Sequence, residues 1–300
     1  MGVLQLEEFL LWGAEMVDSI KRVVLLLHAL LHLFRCGVYG GWLWLTRQPR
    51  RQMTELWSYE GTRITCGKLG IKLGVTSEGL GQILKDQPVV VVVYHPFTEF
   101  LYAFGTGLHD LFLGRRVMPT AKREHIWNPL GWGILAAGGA LIPRTGNGRG
   151  VRALRRSAEN ALRDASGMGP LFVIFWDGHR PRRERIEEAQ AYLQSIGEDA
   201  FAKHLKYVQV PRLGGLQALM SALPGAALVE VTMSLEAWPA NGNGYQLGEL
   251  RGRTLHLHYE RVDPPELDSG DRAHLQKWLR SRAALANNRI AAWIAAANNN

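Results

Sequence analysis

The run Val89–Val93, set between Pro88 and Tyr94-His95-Pro96, constrains the fold of this 300-residue chain more than any other stretch. Consecutive β-branched residues favour extended backbone, and a run without polar alternation suits a strand covered on both faces. The proline after His95 is well placed at a first helical position, where its missing N–H costs nothing, so a helix is expected to begin at once. In such a helix Glu99 lies about one turn from His95 and on the same side. A histidine held by a carboxylate is the simplest general-base arrangement. The plainer alternative is a strand-end histidine followed by a first-turn acid that the helix dipole favours.

Two further segments read as strong strands: LFVIFW at 171–176 and AALVEVTMSL at 226–235. Weaker strand patterns lie at 63–77, 115–123, 140–142, 207–211 and 255–262. Helical patterns lie between them, at 96–108, in part of 126–137, and at 151–164, 182–195, 215–223 and 272–294. This alternation predicts an α/β domain with a largely parallel central sheet flanked by helices. No linker interrupts the chain after Gly61, so 61–300 is expected to be one domain.

Residues 1–60 differ in character. An acidic, partly apolar stretch leads to Lys21-Arg22, then to the uncharged run Val23–Phe34; after Arg35 the apolar pattern continues to Leu45. The uncharged run is shorter than the roughly 20 residues that cross a bilayer, and the longer span would carry Arg35 near its middle. A hydrophobic membrane-binding segment of interfacial or re-entrant helices is therefore expected, with a transmembrane helix or a buried core helix as alternatives. The start of the chain does not read as a cleaved signal peptide. Arg47, Arg50 and Arg51 outnumber Lys21 and Arg22, which would put the main domain on the cytoplasmic side.

The formal charge of +8 suggests an anionic partner. Ten tryptophans, several near the apolar segment, favour a membrane interface over nucleic acid. Arginines interleaved with acids along 182–195 read as a solvated face, and no nucleic-acid motif is present. Cys36 and Cys66 form neither a disulfide framework nor a metal-ligand pattern.

In parallel α/β sheets ligands bind at the carboxyl ends of strands. Three segments end there on polar residues. The valine strand delivers His95. The LFVIFW strand delivers Asp177-Gly178-His179-Arg180, and Ala140–Ile142 leads to Pro143-Arg144. Arg144 and Arg180 have the fork geometry for a phosphate. The glycine-rich TGNGRG at 145–150 lacks the Lys-Ser/Thr ending of a phosphate loop.

With these residues in place, the chain resembles the glycerolipid acyltransferases, in particular the 1-acylglycerol-3-phosphate (lysophosphatidate) acyltransferases, from about Ile71 to Leu235. Tyr94-His95-Pro96-Phe97-Thr98-Glu99-Phe100 stands where that family has Asn-His, four residues, then Asp. Gly139-Ala140-Leu141-Ile142-Pro143-Arg144 loosely matches its second motif. Phe175-Trp176-Asp177-Gly178-His179-Arg180 matches Phe-Pro-Glu-Gly-Thr-Arg, and Val208-Gln209-Val210-Pro211 matches a hydrophobic strand ending in proline.

The resemblance implies transfer of a fatty acyl group from acyl-CoA or acyl-carrier protein to the hydroxyl of lysophosphatidate at a membrane. No metal or redox cofactor is implied. His95 would act as base and Glu99 as its orienting carboxylate. Arg144, Asp177, Gly178 and Arg180 would bind the acceptor, Gly178 by close backbone approach. The chain also departs from the pattern: the first-motif carboxylate comes one residue early, and Asp177 is one methylene shorter than Glu. Displacements near 1 Å can cost about a hundredfold in rate. Another lysolipid acceptor, or a lipid-binding protein that kept the fold without the chemistry, are the rival expectations.

Overall fold

The computed structural model describes residues 70–94, 114–127, 129–143, 148–163, 167–178, 182–239, 252–267 and 271–299 without interruption, together with Gly67 and shorter pieces within 19–46, 104–112 and 242–250. Strands are β1 Lys72–Glu78, β2 Val89–Val93, β3 Val117–Lys122, β4 Ala140–Ile142, β5 Leu171–Phe175, β6 Ala227–Leu235 and β7 Thr254–Val262. Helices are α1 Pro129–Ala136, α2 Arg149–Arg163, α3 Arg183–Ser195, α4 Asp199–His204, α5 Leu213–Ala222, α6 Leu247–Leu250 and α7 Arg272–Asn298.

The strands form one seven-stranded sheet in the order β1-β7-β6-β2-β5-β3-β4. From β6 to β4 all neighbours are parallel; β7 runs antiparallel to β6, and β1 parallel to β7. The α/β class and the largely parallel sheet agree with expectation. The valine strand lies at the sheet centre between β5 and β6, and each of its five valines is 0 % exposed. Val90 and Val92 face a layer built from α2, α3, α5 and α7, which contribute Leu154, Leu193, Leu216, Leu219 and Leu279. Val89, Val91 and Val93 face Phe104, Leu108 and Phe112 on the other side. Two covered faces explain why the run needs no polar alternation.

One expected strand does not form. Residues 207–211 are irregular, although Val208 and Gln209 are both buried. Both neighbours of β5 are already taken, by β2 and β3, so no sheet edge is open to this segment there. Its flanking amides find other acceptors. Lys206 and Tyr207 donate their N–H groups to Asn287 Oδ1 on α7, at 2.9 and 2.7 Å, and Arg212 N–H donates to the Trp176 carbonyl at 2.6 Å. A buried segment without ladder bonds is tolerated because side chains and loops satisfy its donors.

Helix α7 lies across β6 and β7 and is fixed by charge as well as by packing. Glu230 and Glu260 sit opposite each other in the antiparallel register. Arg282 donates Nε to Glu230 Oε2 at 2.9 Å and Nη2 to Glu230 Oε1 at 3.1 Å, and the same Nη2 lies 2.9 Å from Glu260 Oε2. Arg289 donates to Glu260 Oε2 at 3.0 Å. Burial pushes the Glu230 carboxyl up despite its bonds to Arg282. Burial also raises Glu260, but the hydrogen bonds and charges of Arg282 and Arg289 outweigh it and hold that group below the usual range.

Beside this cluster, His258 Nδ1 pairs with Thr76 Oγ1 at 2.8 Å, while its Nε2 is 3.9 Å from Glu260 Oε2. Burial first, and the Arg289 charge second, hold His258 below the ordinary histidine range; burial does the same to His256, which stacks on Trp293.

In the N-terminal region, the described residues between Ser19 and Thr46 are helical. Among the described residues no helix is long and apolar enough to cross a membrane.

Two predictions follow from the α7 face. Arg282→Ala leaves the buried Glu230 carboxylate without its cation and the half-buried Glu260 with Arg289 alone, and losing one partner of such a cluster typically costs about 3–5 kcal/mol. A fall of that size in urea unfolding free energy, at unchanged slope, is expected; a loss below about 1 kcal/mol, the scale of an exposed pair, counts against the clamp. The second concerns pH. The folded protein binds fewer protons at His256 and His258 than the unfolded chain, whose histidines titrate near pH ~6.5. Stability from these rings is full above that pH and is lost as pH falls toward the lower folded values. The melting temperature should therefore drop between about pH 7.5 and 5.5, and drop less in a His256→Gln/His258→Gln protein, since only the wild type carries depressed imidazoles; equal drops would refute the assignment.

Candidate active site at the strand ends

Neighbouring parallel strands β2 and β5 connect onward over opposite faces of the sheet. The chain after β2 packs Phe104, Leu108 and Phe112 on one side, while the chain after β5 packs Leu193, Leu216 and Leu219 on the other. A divergence of this kind marks the carboxyl ends of the two strands as the place where ligands usually bind in open α/β sheets. Val93 and Phe175 are register partners, so Tyr94 and Trp176 emerge side by side. Their rings meet edge to face with centroids 5.3 Å apart, and Trp278 of α7 packs on Trp176 at 6.2 Å in the same manner.

Asp177 and Gly178 follow in a tight turn. Gly178 has φ 74°, and its N–H donates to the Phe175 carbonyl at 3.2 Å. A β-carbon there would meet nothing closer than Arg212 Nη1, at 3.6 Å. Glycine is thus required by the left-handed backbone and not by crowding within the protein. Asp177 is 1 % exposed and forms part of the wall of a cavity of about 630 Å3.

The remaining expected site residues, His95, Glu99, Arg144 and Arg180, lie outside the described residues. What is described is their approach. β2 ends at Val93, β5 at Phe175 and β4 at Ile142, and the three belong to one parallel block, with their carboxyl ends at one edge of the sheet. Among the described residues no cluster of His, Cys, Asp or Glu has the arrangement to hold a metal.

Tyr94 is the unexpected participant. It is 3 % exposed, and its hydroxyl has no hydrogen-bond partner among the described residues. Burial, then the Glu230 charge, and less strongly that of Asp177, push its phenol well above the ordinary range; the charges of Arg282 and Arg289 pull the other way. The Tyr94 phenol thus feels the charges of both the arginine clamp and the Asp177 turn. A signal for the clamp is present in the sequence: Glu230 is the one charged residue of its strand, and a buried carboxylate needs a cation. Nothing in the sequence marks which arginine supplies it.

No protein-family model matches the chain, and no curated protein sequence matches it. Among solved structures, the crystal structure of the 1-acyl-sn-glycerophosphate (LPA) acyltransferase PlsC from Thermotoga maritima superposes with a TM-score of 0.52, over 91 % of this chain and 97 % of that one, at 17 % sequence identity. The chain thus shares the fold of that acyltransferase.

The Tyr94 hydroxyl yields a prediction. A buried polar group without a partner costs about 1–3 kcal/mol, so Tyr94→Phe should leave stability unchanged or raise it. Chemical denaturation measures this; a destabilisation above about 1 kcal/mol would mean that the hydroxyl is bonded in the folded protein.

Proposed function

We propose that this chain is a membrane-bound acyltransferase that moves a fatty acyl group from acyl-CoA or acyl-carrier protein to the free hydroxyl of lysophosphatidate, giving phosphatidate. The observation that carries the reading is the switch point between β2 and β5, from which the chain leaves over opposite faces of the sheet. These are the two strands on which the sequence carries the His95 and Asp177-Gly178 motifs, and the shared fold with an LPA acyltransferase supports it.

In this reading His95 takes the proton of the acceptor hydroxyl as that oxygen attacks the thioester carbonyl. The C–O bond forms, the C–S bond breaks, and the proton passes from the imidazolium to the departing thiolate. Glu99 holds the imidazole tautomer and stabilises its charged form. Arg144 and Arg180 hold the acceptor phosphate, and Asp177 orients Arg180 or the glycerol hydroxyl. The reaction balances without a metal or redox cofactor. The helical face formed by Ile20, Val24, Leu27, Leu31, Phe34 and Leu45, all exposed, supports lipid contact. Its spacing of three or four residues, with one longer step of eleven, lines up on one side of a helix. The catalytic domain would lie at the cytoplasmic face.

The deep burial of Asp177 favours a second reading, in which the shorter carboxylate has been withdrawn from the acceptor. The protein would then use another lysolipid acceptor, or bind lipid without turnover.

The test is acyl transfer from labelled oleoyl-CoA to lysophosphatidate and to a panel of other lysolipids, wild type beside His95→Ala. General-base catalysis is worth about 10² to 10⁴ in rate, so His95→Ala should lose at least two decades of turnover. Turnover near wild type in that variant would sink the mechanism. Preference for another acceptor, or lipid binding without turnover in either protein, selects the second reading.

A further inference from the structure

The cavity beside Asp177 lies between α3, the irregular 209–213 segment and the first half of α7. Its volume of about 630 Å3 falls within the range of roughly 300–1,000 Å3 usual for small-molecule sites. Its wall has two characters. Leu193, Val210, Pro211, Leu213 and Leu279 supply an aliphatic floor. Arg212, Arg272 and Arg280 bring three guanidinium groups from two different parts of the chain. Arg272, Gln276 and Arg280 recur at four-residue steps, so one stripe of α7 lines the cavity.

The three arginines are not equivalent. Arg280 is paired with Glu198. Arg212 and Arg272 have no side-chain partner among the described residues and are exposed. Asp177, the one acid in the wall, is buried. Arg212 lies over the Gly178 turn, with Nη1 3.6 Å from the position a β-carbon would take. A ligand held by Arg212 would therefore sit against the turn that closes β5. Two planar forks without a side-chain partner among the described residues, beside an aliphatic floor, match a ligand with an anionic oxygen cluster at one end and carbon at the other. Tyr192, 65 % exposed in the same wall, offers a flat ring to that carbon part.

We infer that this cavity binds an organic phosphate, with its phosphate on Arg212 and Arg272 and its carbon part against Leu193, Leu279 and Tyr192. Two sources have this chemistry: the nucleoside end of a coenzyme A-type donor, and a glycerophosphate headgroup. The choice of these two sources rests on the proposed acyl transfer, but the site is read from the cavity and tested by binding rather than turnover, so the two can fail separately.

The test is calorimetric titration of the full chain at low salt with coenzyme A, 4′-phosphopantetheine, glycerol 3-phosphate and inorganic phosphate. The variants are Arg212→Gln/Arg272→Gln and a control of equal charge change, Arg155→Gln/Arg156→Gln, on exposed positions of α2 outside the cavity wall. At least one organic phosphate should bind the wild type, with Kd raised at least tenfold in the cavity variant and unchanged in the control. Coenzyme A binding well above 4′-phosphopantetheine assigns the nucleoside end; preference for glycerol 3-phosphate assigns the headgroup. Each result supports the site. Absence of organic phosphate binding, equal binding in the cavity variant, equal loss in the control, or inorganic phosphate binding as tightly as the esters would overturn it. Both cavity side chains are exposed, and an unchanged melting temperature confirms that the variants fold.

Discussion

The buried fork of Arg282 is the interaction on which the rest of this structure depends. Two glutamates face each other across β6 and β7, where like charges directly opposite are destabilising. Nothing in the sheet itself relieves that repulsion. A single guanidinium arriving from α7 bonds both carboxylates, and Arg289 adds a second cation at Glu260. The sheet therefore requires the helix, and it requires it in one rotational setting. An apolar interface would allow α7 to slide by a fraction of a turn at modest cost; a bidentate charge pair does not. Burial of such a cluster is not a source of large net stability, since desolvation of each ion offsets most of the attraction. Its consequence is geometric.

That geometry reaches the strand ends. With Arg282 anchored over β6, the preceding turn of α7 brings Trp278 onto Trp176, and Trp176 onto Tyr94. Further back, Leu279, Gln276 and Arg272 become one wall of the cavity beside Asp177. The carboxyl end of β5 is thus framed by the helix that the buried charges hold. Asn287 extends the same logic: by accepting two amides from 206–207, it lets an irregular segment cross the buried layer and present Pro211 and Arg212 to the cavity.

Much of this architecture was legible in the sequence, and the reasons for success and failure are physical. The valine run could only be a strand covered on both faces, and LFVIFW and AALVEVTMSL shared its composition. Helix α2 was visible because its arginines and alanines separate cleanly at helical spacing. The stretch at 207–211 was misread because alternating apolar residues are consistent with a strand wherever a sheet edge is open. Whether an edge is open is a property of topology, which the local pattern does not encode. The clamp was missed for a related reason. Glu230 announced that it needed a cation, but the partner lies far along the chain, in a helix whose apolar and polar faces are poorly separated. Of the site, the sequence correctly placed Asp177 and Gly178 at a strand end. Gly178 was expected for close backbone approach to a ligand; its positive φ, in the turn closed by its N–H on the Phe175 carbonyl, is a separate local requirement for glycine.

The position of the candidate chemistry follows from where rigidity ends. Val93 and Phe175 are locked in the centre of the sheet, and the residues of interest come within the first few positions beyond them. A reacting group set close to a strand end inherits the precision of the sheet while remaining free of the ladder. The cost of that design is sensitivity to whatever packs against the last strand residues. Here those contacts are Tyr94 and Trp176, aromatic rings held edge to face by each other and by Trp278. A smaller side chain at position 94 would leave this corner thinner. The Tyr94 ring fills it, edge to face with Trp176, and its hydroxyl is buried. Because Val93 and Phe175 are register partners, Tyr94 lies beside Trp176, and Asp177 follows one residue later; whatever repacks the ring at position 94 is therefore felt at the turn that carries Asp177.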